Sequence, residues 1–311
     1  MFDKTTIGYC IEGFLVVAGL ILLVRLWRVA RRDPTSASRR LPPRQAFDAD
    51  LLFFLIAMLV PMALGWLAAS YGSHFFPDAD SGHLTLGATY VQEFAMMAVI
   101  GVYYWWSAFS ERAQPASGPS QRLEATALYP PTSEVYPPSS PLLAPGSPPL
   151  SPSFTWPVPL PALSTGIVTF LAALPVVYLV SAIWQTLLDA CGYPVAHQNI
   201  VEVFLGFTTP LTQALFTIVA AVLVPFNEEM IFRGGLFRGL LAAVPRRWAI
   251  GISALVFAAA HLDVTSFAPL TVLGVAFALA YERTGNIRTV IIAHALFNLN
   301  TLGALLLGVN A

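Results

Sequence analysis

Eight long apolar runs constrain what this chain can fold into. A helix that crosses a membrane needs about 20 largely apolar residues, because the bilayer interior offers no water to satisfy the backbone. Only 11% of the residues are charged, against roughly 25% in a soluble domain, so little of the surface can face water. The pattern predicts an all-α, polytopic transmembrane helix bundle of about eight spans. The runs lie at approximately 7–27, 51–70, 85–108, 162–188, 208–226, 248–263, 267–282 and 289–308.

The distribution of Lys and Arg predicts the orientation. Basic residues follow the first and third runs and lie between the fifth and sixth and between the seventh and eighth, whereas the loops 71–84 and 189–207 contain none. Cytoplasmic loops are enriched in Lys and Arg. The basic loops are therefore predicted to be cytoplasmic and both termini to lie outside. The first run is longer than a signal-peptide core of roughly 7–15 residues, and its basic residues come after it, which predicts a retained anchor.

Residues 113–161 differ from the rest of the chain because they are dense in Pro and Ser. Such a segment buries too little apolar surface to fold, so it is predicted to be a disordered cytoplasmic linker. An alternative is a docking site for a proline-recognition domain. The linker separates a predicted N-terminal three-helix part, residues 1–112, from a C-terminal five-helix part, residues 162–311.

Charge and cysteine content exclude some classes of function. The net charge of −1 and the lack of a basic face outside the loop rims indicate no nucleic-acid partner. Cys10 and Cys191 are too few for a disulfide framework or a cysteine metal site, and we interpret them as unpaired small residues.

The fifth run is followed by the charged segment Asn227-Glu228-Glu229-Met230-Ile231-Phe232-Arg233. An ionisable residue inside a bilayer is a functional candidate by default, because its burial is unfavourable. On a helix, Glu229 and Arg233 are four residues apart and can pair. Glu228 points about 100° away from Glu229, so it needs another partner or a proton. The alternative is an interfacial charge cluster that caps the fifth helix.

Two further polar clusters lie on the sixth and eighth runs. His261 follows Phe257 by four residues, and His294 and Asn298 are also four residues apart, so each pair shares a helix face. At about 1.5 Å per residue, all three clusters fall inside the roughly 30 Å apolar layer, which predicts convergence on one buried site. Singly, a histidine on an apolar helix is more often a hydrogen-bonded core residue, and an asparagine a helix–helix contact.

Together the three clusters resemble the CPBP family of intramembrane endopeptidases, which includes the type II CAAX prenyl endopeptidases and proteins related to bacteriocin processing or immunity. The family pattern is Glu-Glu-x-x-x-Arg, then Phe-x-x-x-His, then His-x-x-x-Asn or Asp. The segment Tyr281-Glu282-Arg283-Thr284-Gly285-Asn286-Ile287 is also similar to the loop that precedes the third motif in the family. The resemblance covers about residues 208–305.

The resemblance implies an endopeptidase that cuts a membrane-associated or lipidated protein or peptide, located in the bacterial cytoplasmic membrane. Glu228 with His261 would activate a water, and His294 with Asn298 would stabilise the oxyanion. Glu229 and Arg233 would position and support Glu228. These roles are chemically reasonable, since a buried carboxylate can act as a general base and side-chain donors can stabilise an oxyanion.

Three alternatives stay open at this point. In a metal-dependent version, Glu228, His261 and His294 would form a His₂Glu zinc site. The glutamate mechanism, without a cofactor, is favoured because Asn298 suits oxyanion donation better than zinc ligation. The other two are a non-catalytic immunity or scaffold protein and a small transporter with a proton relay. The lack of paired interrupted repeats argues against the transporter.

Overall fold

The computed structural model describes residues 3–32, 47–77, 79, 81–113, 160–193, 204, 206–207 and 209–309. Within those residues the chain forms eight helices and no strand, so the predicted all-α polytopic bundle is confirmed. The predicted linker lies outside the described residues except at its ends. The helices are α1 (Lys4–Arg32), α2 (Phe47–Phe75), α3 (Ser81–Ala113), α4 (Leu160–Ala190), α5 (Pro210–Ala243), α6 (Arg246–Ala260), α7 (Phe267–Thr284) and α8 (Ile287–Leu306).

Two compact units make up the chain, residues 1–100 with 156–311 and residues 101–155. The described part of the smaller unit is the last portion of α3, residues 101–113. All side chains discussed below belong to the larger unit. The three-part division expected from the sequence stays a prediction.

Six of the helices, α1 to α5 and α8, are long and apolar enough to cross a membrane. Large apolar side chains such as Phe14, Trp66 and Leu211 are exposed, as expected of surfaces that face lipid. The chain is therefore an integral, multi-pass membrane protein. Helix α6 has 15 residues and spans only about 22 Å, which is less than the roughly 30 Å apolar layer.

Helix α5 is the central helix of the larger unit. Half of its most apolar stretch is buried, against 17% of that of α1. It is also longer than predicted, since the sequence interpretation ended the fifth span at 226 and the helix continues to Ala243. Its carboxylates break the hydropathy pattern but not the helix, because Glu229 is paired inside the protein.

The hydrogen bonding of α5 is irregular on both sides of these carboxylates. Val219–Leu223 and Met230–Phe237 are π-helical, and Val224–Glu229 between them is α-helical. Such widened turns are rare and occur often at functional sites. They change the direction of successive side chains relative to a regular helix, so contacts with other helices must hold the turn that carries the carboxylates.

The C-terminal helices pack closely around α5. Helix α8 lies along α4, α6 lies against α7, and α2 contacts the second π-helical stretch. Gly274 of α7 allows a close approach to α6, because a Cβ atom there would lie 2.9 Å from the Cα of Ala254. Helix α3 reaches α5 through side chains, as when the hydroxyl of Tyr90 donates to the carbonyl of Leu215 at 3.3 Å.

Candidate active site

Glu228 of α5 faces two histidines from two other helices. Its Oε2 lies 3.9 Å from Nε2 of His261 and 3.7 Å from Nε2 of His294. The side chains of Glu228 and His261 are 20% and 27% exposed, and that of His294 is 5% exposed. Side chains from α5, α6 and α8 therefore meet at one place, with an open side formed by Glu228 and His261 and a buried side formed by His294.

Glu229 lies directly behind this group. Its Oε1 accepts hydrogen bonds from Nη1 of Arg233 at 3.0 Å and from Nδ1 of His294 at 2.9 Å. Glu229 and Arg233 are fully buried. The predicted helix pair is therefore formed, and in the structure its hydrogen bonds support His294, whereas the sequence interpretation assigned it to the support of Glu228.

Arg233 is enclosed by aromatic rings as well as by its carboxylate. Its guanidinium carbon lies 4.4 Å from the ring centroid of Phe257 and 5.2 Å from that of Phe277. Its Nη2 donates to the carbonyl of Gly274 at 3.3 Å. Cation–π contacts and hydrogen bonds of this kind offset the loss of hydration. The same two rings contact His294 and close the inner side of the site.

His261 is held by the end of its own helix. Helix α6 ends at Ala260, where the backbone N–H of His261 bonds to Ala258 and not to Phe257. The carbonyl of Phe257 is thus without its usual helical partner, and Nδ1 of His261 lies 2.8 Å from it. A helix terminus thereby fixes the orientation of the imidazole ring.

The partners of the two rings determine which nitrogen carries the proton. A backbone carbonyl can only accept, so Nδ1 of His261 donates to Phe257. Nδ1 of His294 donates in the same way to the carboxylate of Glu229. In the neutral rings both Nε2 atoms then carry lone pairs, and both lie toward Glu228. This arrangement provides acceptor and proton-transfer positions around one carboxylate oxygen.

Asn298 lies one turn beyond His294 on α8. Its Nδ2 donates to the carbonyl of Ala220 at 2.6 Å. Ala220 belongs to the first π-helical stretch, where the backbone carbonyls depart from regular α-helical pairing. The amide group therefore links α8 to α5. Its hydrogen bond is made to the backbone of α5 and not to the side chains of Glu228, His261 or His294.

Two polar residues that the sequence interpretation did not select lie beside the site. Asn227 precedes Glu228, is fully buried, and donates from Nδ2 to both the carbonyl and the carboxylate of Glu93 in α3. Glu93 is the only acidic residue between Ser81 and Ser110. A lone carboxylate in a predicted span is the signal that could have identified it.

The fit of a metal ion can be tested on the same residues. Within the described ranges, no group of three or more His, Cys, Asp and Glu side chains has a spacing that could hold a metal ion. The set Glu228, His261 and His294, considered from the sequence as a His₂Glu zinc site, is not among such groups. We derive no step through a metal.

Comparisons with known proteins agree with the three motifs. Residues 210–300 match the family described as type II CAAX prenyl endopeptidase Rce1-like. A curated relative, "Putative membrane peptidase YdiL" of Bacillus subtilis (strain 168), is 34% identical over 84 residues, which cover 27% of this chain and 34% of the relative. The match thus spans about a third of that relative's length. No solved structure matches the chain.

The matched segment contains every residue of the candidate site, from Glu228 on α5 to Asn298 on α8. It excludes α1 to α4 and with them Glu93. The motifs, their convergence in space and the two matches agree, and residues 210–300 are similar to the type II CAAX prenyl endopeptidase segment of the CPBP family.

Proposed function

We propose that this chain is an intramembrane endopeptidase, which hydrolyses a peptide bond of a membrane-associated or lipidated protein or peptide. The observation that carries the proposal is the position of Glu228. Its Oε2 has no hydrogen-bond partner although the atom is buried, and two imidazole Nε2 atoms lie 3.9 and 3.7 Å away. A water bound among these three groups would be polarised from several sides.

The proposed reaction begins with proton transfer from this water to Glu228, assisted by His261. The resulting hydroxide attacks the carbonyl carbon of the scissile bond and forms a tetrahedral intermediate. The C–N bond then breaks as the proton passes to the leaving amine, which leaves a free carboxylate and a free amine. Carboxylates and imidazoles are common general acids and bases, and apposition to the substrate accounts for much of their effect.

His294 and Asn298 are proposed as donors to the oxyanion. His294 would donate from Nε2 when the ring carries both protons, with Nδ1 held by the Glu229 carboxylate. Asn298 would donate after releasing the carbonyl of Ala220. A side-chain donor aimed at an oxyanion in a site that excludes water contributes strongly to catalysis.

Glu229 and Arg233 are proposed to hold His294 in place. Their side chains are fully buried, so neither can reach a substrate on the exposed side of Glu228. Their contribution to catalysis is therefore indirect, through the orientation of the imidazole of His294.

We favour the glutamate mechanism over a metal-dependent one. Asn298, one turn from His294, suits donation to an oxyanion better than zinc ligation, because zinc favours nitrogen, sulfur and carboxylate ligands. The location is proposed to be a bacterial cytoplasmic membrane, with the basic loops on the cytoplasmic side and both termini outside. The substrate then reaches Glu228 and His261 from within or beside the bilayer.

The proposal is tested by cleavage of a membrane-anchored peptide library in proteoliposomes. We expect new amino termini with wild-type protein and none with Glu228→Gln. Glu12→Gln is the matched control, because Glu12 is also a carboxylate in a span but contacts Tyr178 and Asn300 away from the site. Equal product from wild type and Glu228→Gln, or none from wild type, would contradict the proposal.

A further inference from the structure

Glu93 is a buried carboxylate that the proposed mechanism does not use. It is 4% exposed and lies on α3, outside the residues 210–300 that match the family. A carboxylate buried in a span is unfavourable unless it is hydrogen-bonded. The hydrogen-bond partners of Glu93 therefore indicate its role.

Its partner is the residue next to the proposed general base. Nδ2 of Asn227 lies 3.0 Å from the carbonyl of Glu93 and 2.8 Å from its Oε2. The amide orientation follows from the first contact, because a carbonyl can only accept. The amide nitrogen of Asn227 thus donates to two acceptors of a single residue in another helix.

Asn227, Glu228 and Glu229 are consecutive, so on a helix they point in directions about 100° apart. Asn227 is held by Glu93 on one side, and Glu229 is held by His294 on the other. The Oε2 atom of Glu228, between them, has no hydrogen-bond partner of its own. The rotation of this turn is therefore set by its two outer residues.

The irregular hydrogen bonding of α5 makes such support necessary. The turn Val224–Glu229 lies between two π-helical stretches, in which the regular α-helical pattern that would fix side-chain directions is interrupted. A contact from outside the helix replaces that constraint. Removal of the Glu93 contact would release one of the two hydrogen-bonded residues that flank Glu228.

We propose that Glu93 is a positioning residue for Glu228 and acts through its hydrogen bonds with Asn227. The inference rests on the proposed function only for its kinetic effect, and the placement of Glu228 is a separate, measurable property. Helix α3, which lies outside the segment that matches the family, would thus help to position Glu228 in the candidate site.

The kinetic test compares Glu93→Met, Glu93→Gln and Asn227→Ala with wild type. Met fills the space without accepting a hydrogen bond, and Gln still presents an oxygen to Asn227. We expect Glu93→Met to lower kcat roughly 10- to 100-fold, the order of effect of a small misplacement, at unchanged KM and folded fraction. Glu93→Gln is expected to stay within about threefold of wild type, since the contact is kept.

The double variant Glu93→Met/Asn227→Ala separates positioning from general destabilisation. If Glu93 acts through Asn227, the double variant loses no more activity than the worse single variant. Glu12→Met is the matched control and should keep wild-type kcat. Wild-type kcat in Glu93→Met, or losses that multiply in the double variant, would overturn the proposal.

A second measurement does not need a substrate. Proton NMR of histidine-labelled protein in detergent reports the surroundings of the imidazoles of His261 and His294, assigned by substitution. We expect both signals to move in Glu93→Met and to stay at wild-type positions in Glu93→Gln and Glu12→Met. Unchanged signals in Glu93→Met would refute the positioning role. Absence of proteolysis by wild type would instead refute the protease proposal and leave this readout intact.

Discussion

Nδ1 of His294 lies 2.9 Å from Oε1 of Glu229, the same oxygen that Nη1 of Arg233 contacts at 3.0 Å. One carboxylate oxygen thus joins a buried ion pair to an imidazole of the candidate site. Glu229 balances the charge of Arg233 and at the same time fixes the ring orientation of His294. Substitution of Glu229 or of Arg233 is therefore expected to change both the stability of the protein and the orientation of His294.

Removal of Arg233 should destabilise the protein strongly. Arg233→Met leaves Glu229 as a buried carboxylate without its cation, and breaking a buried pair in this way costs about 3–5 kcal/mol. The measurement is the free energy of unfolding in detergent. The pair Arg246–Glu282 is the comparison, because Arg246 is 45% exposed although the Glu282 side chain is only 5% exposed. Water can reach the position that Arg246 leaves, so Arg246→Met should cost less than Arg233→Met.

The double variant Arg233→Met/Glu229→Gln removes the charge that the single variant leaves behind. It should recover part of the lost stability while His294 remains less well held, so that activity stays low. Equal losses of stability in Arg233→Met and Arg246→Met would contradict the view that Arg233 is the charge partner of a fully buried carboxylate.

Gly274 should tolerate no side chain. A Cβ atom there would lie 2.9 Å from the backbone of Ala254 in α6, so Gly274→Val must separate α6 from α7. We expect a loss of about 1–3 kcal/mol from overpacking and a fall in activity, because α6 carries His261. Thermal unfolding and turnover measure the two effects.

Gly251 provides the matched control on α6, since a Cβ atom at that glycine meets nothing within 4 Å. Gly251→Val should therefore leave turnover unchanged and alter stability by only a small amount. A variant Gly274→Val with wild-type stability and activity would show that the two helices do not need this approach.

Much of this architecture is predictable from the sequence for a physical reason. Spans must be apolar and about 20 residues long, so hydropathy locates eight helices and the motifs at i and i+4 place their residues on shared faces. The estimated depths of Glu228, His261 and His294 are compatible with convergence, and the three motifs taken together predict it. The local sequence pattern and the thickness of the membrane are thus sufficient to predict the helices and the faces that carry the motifs.

Other features depend on contacts between distant parts of the chain. Hydropathy ends the fifth span at 226, because it cannot register that Glu229 is neutralised inside the protein by Arg233. The contact of Asn298 with Ala220 depends on a π-helical stretch that has no simple sequence signature. The pairing of Glu93 with Asn227 joins residues 134 positions apart, and only the packing of α3 on α5 brings it about.

Asn298 should contribute to turnover if it becomes an oxyanion donor. Removal of one such donor lowers kcat by roughly 100- to 1000-fold, and we expect a loss of this order for Asn298→Ala at unchanged KM. Asn300→Ala is the control on the same helix, because Asn300 contacts Glu12 and Tyr178 instead. Similar kcat values for Asn298→Ala and wild type would limit Asn298 to its contact with Ala220.

Metal removal should leave the activity intact. In the glutamate mechanism the water is activated by Glu228 and His261, so dialysis against a strong chelator is expected to preserve the cleavage rate. Metal analysis of the purified active protein should be made on the same sample. Stoichiometric zinc that is lost together with activity, and restores activity when added back, would contradict the glutamate mechanism.

The central claim is that Glu228 and His261 act together on one water. It is tested most directly by single-turnover cleavage rates of Glu228→Gln, His261→Ala and the double variant. Groups that act as a unit are strongly non-additive, so we predict that each single variant loses nearly all activity and that the double variant is no slower. Substantial cleavage by Glu228→Gln, or losses that multiply in the double variant, would contradict the account.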